Sequence, residues 1–218
     1  MNRWSRWGTR RVSDYDPRGL VDADQGRQVM PDQPISQVRI IGGIHRGRKL
    51  PFAEMPGLRP TGDRIRETLF NWLQPVIQGA RCLDLFAGSG ALGIEAASRG
   101  AGEVVMVDTA SAVIRQLERN KSLLGLDHLS IVRADALQFL DQTPTPFDLV
   151  FLDPPFTGNL LQPLCQRLAK GWLSDGARIY LEDDISRAFP TLPDGWELLK
   201  EKRAGAVRYG LAFAPWPG

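Results

Sequence analysis

The stretch Leu83-Asp84-Leu85-Phe86-Ala87-Gly88-Ser89-Gly90-Ala91-Leu92-Gly93-Ile94-Glu95 limits the fold more than any other part of the chain. Residues 81–86 predict a short buried strand. Gly88 and Gly90 then permit a tight turn and close approach of a ligand to the backbone. Residues 91–98 are mainly good helix formers. A strand, a glycine turn and a helix N-terminus make the nucleotide-binding corner of an open α/β sheet. The literal G-x-G-x-x-G of residues 88–93 adds little, because it serves several cofactors.

Downstream, strand and helix alternate. Strands are predicted over residues 103–107, 130–133, 147–152 and 177–181. Helices are predicted over residues 111–125, with Val113, Ile114, Leu117 and Leu124 inward, and over residues 160–172. Residues 196–202 and 207–213 predict a closing antiparallel pair joined through Ala204-Gly205-Ala206. Such repetition specifies a mostly parallel sheet with helices on both faces.

Acids stand where those strands end. Asp84 precedes the glycines, where its carboxylate repels a pyrophosphate and favours a methionyl ammonium, directly or through water. Asp108 ends the next strand and can hold ribose hydroxyls. Asp135-Ala136 ends the third, where a carboxylate can accept from an adenine amine. The set points to S-adenosylmethionine, held by Asp84, Phe86, Ala87, Gly88, Ser89, Gly90, Asp108, Asp135 and Ala136. The competing reading of each acid is a helix N-cap.

The fourth strand delivers Asp153-Pro154-Pro155-Phe156. Neither proline has an N–H, and each fixes its own φ and biases the residue before it towards extended geometry. The turn is stiff, rich in acceptors and ends in a flat aromatic face. It suits a planar base carrying an NH2 group, with Asp153 and the Pro154 carbonyl accepting its two N–H bonds and Phe156 stacking on the ring. An ordinary Asp-Pro turn is the bland alternative.

The 218 residues are 43% hydrophobic and 24% charged, the profile of a globular protein with room for one catalytic domain and an appendage. No apolar run is long enough to span a bilayer, and the Arg-rich start lacks the apolar core of a secretory signal. Two cysteines, Cys82 and Cys165, read as buried free thiols of a cytoplasmic protein. With two histidines besides, there is no metal-site spacing, and no metal is expected. The net charge of +2 divides unevenly, with +6 over residues 1–66 and −4 over the rest. A basic front end implies a polyanionic partner.

Residues 1–35 read as a mobile Arg-rich tail. Residues 36–75 predict a hairpin, around Val38 to Ile41 and Arg46 to Phe52, and then a helix with Ile65, Leu69, Trp72 and Leu73 on one face. Thr61 or Asp63 can start that helix. Residues 76–218 form the catalytic domain. Arg46, Arg48, Lys49, Arg59, Thr61, Arg64 and Arg66 are the expected phosphate contacts.

The runs Ile40-Ile41-Gly42-Gly43, Arg46-Gly47-Arg48-Lys49-Leu50, Leu58-Arg59-Pro60-Thr61, Asp63-Arg64-Ile65-Arg66-Glu67-Thr68-Leu69-Phe70-Asn71-Trp72-Leu73, the glycine segment and Asp153-Pro154-Pro155-Phe156 together resemble the bacterial ribosomal RNA small-subunit methyltransferase D family. The resemblance covers roughly residues 37 to 213. It implies a Rossmann-like, seven-stranded class I S-adenosylmethionine-dependent methyltransferase fold with its last strand antiparallel. It implies methylation of a guanine N2 in 16S rRNA, with the 16S rRNA, the 30S subunit or an assembly intermediate as partner and a monomeric enzyme. Asp153, Pro154, Pro155 and Phe156 carry over as the catalytic tetrapeptide. The chain departs from the pattern at Asp108, where Glu is expected, and before residue 35. Rival readings are an adenine-N6 methyltransferase, a NAD-dependent oxidoreductase and a non-enzymatic ribosome assembly factor.

Overall fold

The computed structural model describes residues 36–53, 60–156 and 158–215. The tail expected over residues 1–35 and Arg59 lie outside them. Strands β1 (Gln37–Arg39) and β2 (Lys49–Pro51) pair antiparallel as the predicted hairpin, which leads to helix α1 (Asp63–Leu73). The alternation then runs β3 (Arg81–Asp84), α2 (Gly93–Ser98), β4 (Glu103–Asp108), α3 (Ser111–Leu124), β5 (Leu129–Arg133), α4 (Ala136–Leu140), β6 (Phe147–Leu152), α5 (Leu161–Leu168) and β7 (Leu173–Asp184), closed by β8 (Glu197–Ala204) and β9 (Val207–Ala214).

Seven strands form one sheet in the order β5-β4-β3-β6-β7-β9-β8. β9 runs antiparallel to both β7 and β8, while β5, β4, β3, β6 and β7 pair in parallel. The sheet is therefore mostly parallel with its last strand reversed. Order changes direction at β3, so the C-terminal strand edge above β3 is the switch point at which doubly wound sheets bind ligands.

Two apolar layers sandwich the sheet. Cys82, Val104, Met106, Leu149, Phe151 and Tyr180 face one layer with Leu50, Ile65, Leu69, Phe70, Val113 and Leu117. Leu83, Val105, Val107, Val150 and Leu152 face the other with Phe139, Leu161, Leu164 and Leu168. Period-two alternation along each strand produces the split. It also fixes where the acids go: Asp84, Asp108 and Asp153 share parity with Cys82, Met106 and Phe151, on the face covered by α1, α2 and α3. The hairpin and α1 join this same apolar layer, so packing shows no break near residue 76. Each large apolar side chain fully buried there contributes roughly 1.5–3 kcal/mol.

Local differences from the predicted elements have physical causes. α2 starts at Gly93 rather than residue 91, and every residue from 91 to 98 is buried. A Cβ at Gly93 would meet Met106 Cγ at 2.8 Å, so glycine lets this helix lie close on β4. α3 ends as predicted on Gly125, at φ 64°. Its inward face takes Asn120 rather than Ile114, which is half-buried, because the Asn120 Nδ2 donates to the Pro51 carbonyl at 2.9 Å and ties α3 to the hairpin. β7 begins earlier than expected, since Ser174-Asp175-Gly176 is absorbed as a register shift and not a turn. Cys82 and Cys165 are buried free thiols, and burial pushes Cys165 up to about 12. Among the described residues no helix is long and apolar enough to cross a membrane.

Candidate active site

Four acids sit at the C-terminal edge of four neighbouring parallel strands. Asp84 and Asp108 are the last residues of β3 and β4, Asp153 follows β6, and Asp135 lies just past β5. Between them runs the turn from Phe86 to Gly90, with Gly88 at φ 47° and Gly90 at φ 81°. A Cβ at Gly90 would strike Ile94 Cδ1 at 2.7 Å and Leu117 Cδ2 at 2.8 Å. Glycine is required there by backbone conformation and by packing beneath the turn.

The acids hold this turn in shape. Asp84 is 1% exposed and accepts from the Gly93 N–H at 3.0 Å and the Phe86 N–H at 3.3 Å. A carboxylate so enclosed acts on a ligand by its charge and by bracing the turn. Asp108 does not cap α3, whose N-cap Ala110 has no side-chain cap bond. Its oxygens accept from Gly88 N–H at 3.0 Å and Ala110 N–H at 2.8 Å, tying the glycine turn to β4. Asp135 does cap: Oδ1 accepts from the Leu137 and Gln138 N–H groups at the start of α4. Its side chain is exposed and its Oδ2 takes no part in those bonds. Ala136 is buried beside it.

In the Asp-Pro-Pro-Phe turn, Pro154 is buried, Pro155 exposed and Phe156 half-buried. The Thr61 hydroxyl donates to Asp153 Oδ2 at 2.9 Å. Thr61 is itself 7% exposed, and α1 starts instead on Gly62 with no side-chain cap. Thr61 therefore aims the carboxylate of Asp153 and is not placed to meet a phosphate.

Arg66 is a second correction. It is 1% exposed and does not reach solvent, where a phosphate contact would need it. Its guanidinium pairs with Asp63 at 2.6 Å and Glu95 at 3.5 Å, and its Nε donates to the Thr61 carbonyl at 3.1 Å. Glu95 also accepts from Arg99 Nε at 2.6 Å and from the Ile41 N–H at 2.8 Å. One buried ion pair thus joins the hairpin, α1 and α2, and through Thr61 steadies Asp153. Arg46, Arg48, Lys49 and Arg64 are exposed, as phosphate contacts must be.

The sequence reading passed over Tyr180 and Glu182 on β7. The Tyr180 hydroxyl donates to Glu182 Oε2, and both side chains are buried. A Glu continuing the apolar run Ile179-Tyr180-Leu181 was the available signal.

Burial dominates the electrostatics of the edge. Loss of water pushes Asp84 up to about 7, against the pull of the Gly93 and Phe86 N–H groups. It pushes Asp153 up to about 6, offset by the Thr61 bond. It pushes Glu182 up to about 8, with the charge of Asp153 adding to the rise. An acid whose folded pKa is raised binds its proton more tightly when folded. Its stabilising share is full below its unfolded pKa of about 4 and is lost as pH climbs through the folded value. His45, lowered mainly by partial burial, opposes this weakly. The ligand-free protein is therefore expected to lose roughly 5 °C or more of thermal midpoint between pH 5 and pH 8. A midpoint that stays level or climbs over that range would refute the assignment of buried acids.

The acid edge, tested by its own chemistry, fits S-adenosylmethionine. It offers an acceptor-rich crest beside the glycine turn, suited to a cation carrying hydroxyl and amine donors. It suits a pyrophosphate poorly, because Asp84 lies directly behind the glycines.

Comparisons with known proteins bear on the family and the fold. The model of the family described as Conserved hypothetical protein 95 matches residues 38–212. Ribosomal RNA small subunit methyltransferase D of Escherichia coli is 51% identical over 176 residues, 80% of this chain and 89% of the relative. The solved structure of yhhF from Escherichia coli superposes with a TM-score of 0.78 at 46% identity, covering 83% of this chain and 99% of that one. A T. thermophilus 16S rRNA N2 methyltransferase solved with AdoMet and guanosine has a TM-score of 0.60, covering 87% of this chain and 53% of that one; at 24% identity that likeness bears on the fold.

Proposed function

Since the chain belongs to the ribosomal RNA small subunit methyltransferase D family, we propose that it methylates the exocyclic N2 of a guanine in 16S rRNA, with S-adenosylmethionine as donor. The observation that carries the chemistry is Asp153: a carboxylate on a donor-free proline turn, aimed by Thr61, beside a crest fit for the cofactor.

Asp84, Asp108 and Asp135, with Phe86, Ala87, Gly88, Ser89, Gly90 and Ala136, would hold the cofactor. When bound, it supplies an electrophilic methyl group on a sulfonium. The guanine amine is a poor nucleophile, because its lone pair is delocalised into the ring. Asp153 accepts one of its N–H bonds and the Pro154 carbonyl the other, which favours a tetrahedral nitrogen and aims the lone pair. Phe156 stacks on the base, which must leave its helix to reach the site. Positioning and fixed charge supply the rate. The proton released by the methylated amine passes to Asp153 or to water. Arg46, Arg48, Lys49 and Arg64 hold the surrounding phosphates, a sequence-independent grip that salt weakens. Such a substrate places the enzyme in the cytoplasm, where ribosomal subunits assemble.

Incubation with methyl-labelled S-adenosylmethionine and 30S particles from a strain lacking the gene, followed by digestion to nucleosides, tests the assignment. Label is expected in N2-methylguanosine. Label in N6-methyladenosine, or none, would overturn it.

A further inference from the structure

The mechanism above leaves one buried acid without a task. β6 and β7 pair Phe151 with Tyr180 and Leu152 with Leu181, so the next rung sets Asp153 beside Glu182. Alternation turns both towards the face covered by α1. Neighbouring strands lie ~4.8 Å apart, so the two carboxyls stand side by side at the mouth of the site. The Asp153 charge is felt at Glu182, in keeping with that closeness. Glu182 is 5% exposed, and the Tyr180 hydroxyl fixes its Oε2. Among the described residues no Lys or Arg forms an ion pair with it. A buried carboxyl kept at such cost, with the Tyr180 hydroxyl but no cation beside it, has acceptor capacity left for a further N–H.

Guanine provides two adjacent donors, the N1–H and the N2 amine. Adenine presents a bare N1 acceptor beside its amine. We propose that Glu182 accepts from the N1–H of the target base while Asp153 holds N2, so that the paired carboxyls select guanine. The inference rests on the function proposed above. Facing adenine, an ionised Glu182 would set oxygen lone pairs against the N1 lone pair and leave buried polar groups unpaired, so the selection belongs to the ionised acid and strengthens as pH rises. Burial keeps the free Glu182 carboxyl protonated to about pH 8. An arriving N–H donor favours its ionised form and draws that value down. Tyr180 is a positioning residue here, since it holds the acid and does not reach the base.

The test uses 30S particles reconstituted with 16S rRNA carrying guanine or 2-aminopurine at the methylated position. 2-Aminopurine keeps the reacting amine but replaces the N1–H with an acceptor. The wild-type enzyme is expected to prefer guanine by roughly tenfold or more in kcat/KM. Glu182→Gln, which retains an oxygen for the Tyr180 bond and gains an NH2 that can donate to N1 of 2-aminopurine, should shrink that preference about fivefold or more. Tyr180→Phe, which frees the acid without removing it, should shrink it less. Equal losses on both substrates, leaving the preference unchanged in both variants, would reduce Glu182 to a structural acid and overturn the proposal. A wild-type enzyme that places no methyl group on guanine N2 would instead sink the functional reading on which the proposal rests.

Discussion

Asp153→Ala is expected to lower the rate of methyl transfer by roughly 10²- to 10⁴-fold, the range found when a positioned acid–base group or a preorganised charge is removed. The loss should fall on kcat, because Asp153 meets the amine and not the cofactor. Cofactor affinity, measured by calorimetry, should stay within about threefold, since the glycine turn is braced by Asp84 and Asp108 and owes nothing to Asp153. Stability should change little. The substitution leaves the Thr61 hydroxyl without its acceptor, at a cost of about 1–3 kcal/mol, but it also removes a carboxyl that burial pushes up to about 6. In the wild-type enzyme the acceptor is the ionised form, so activity should rise with pH through about 6. A variant that turns over at the wild-type rate would strip Asp153 of its role. One that loses cofactor affinity as steeply as turnover would move that role to the cofactor crest.

Much of this fold is legible in the sequence because its signals are local. The glycine turn, the β-α alternation and the closing pair through Ala204-Gly205-Ala206 each declare themselves within a few residues. The acids at the strand ends are legible for the same reason: a strand that runs apolar and stops on Asp shows where the sheet edge lies. What each acid does there is less so. Asp135 serves as a cap through Oδ1, whereas Asp108 ties two loops together, and nothing in their immediate neighbours separates the two cases. Thr61 sits where a capping residue belongs, yet its hydroxyl is spent on a carboxylate 92 positions away. Asn120 and Glu182 break the apolar pattern of their elements, and each break marks a long-range contact that periodicity cannot name.

Arg66 shows the limit most sharply, and its replacement is the largest stability change expected of a single residue at this site. Beside a helix start, among Arg64 and Glu67, it reads as one more exposed cation free to meet a phosphate. Its partner Glu95 lies 29 positions on, in a helix buried along its whole length, and only the docking of α1 on α2 brings them together. Arg66→Ala would leave Glu95 short of one of its two cations, Asp63 paired with Arg39 alone, and the Thr61 carbonyl without its donor. Breaking a buried pair in this way costs about 3–5 kcal/mol, some 6–20 °C of thermal midpoint for a domain this size. Arg66→Lys should recover little, because an ammonium cannot serve Asp63, Glu95 and the Thr61 carbonyl as the planar guanidinium does. At temperatures where the variant is still folded, kcat should fall further than KM moves, since a loosened Thr61 no longer aims Asp153. Arg46→Ala, in an exposed turn, should stay within about 0.5 kcal/mol of wild type. Urea unfolding of the three variants decides the matter: an Arg66→Ala protein within about 1 kcal/mol of wild type would make the pair an ordinary surface contact and cut the physical link from α1 to the carboxylate of Asp153.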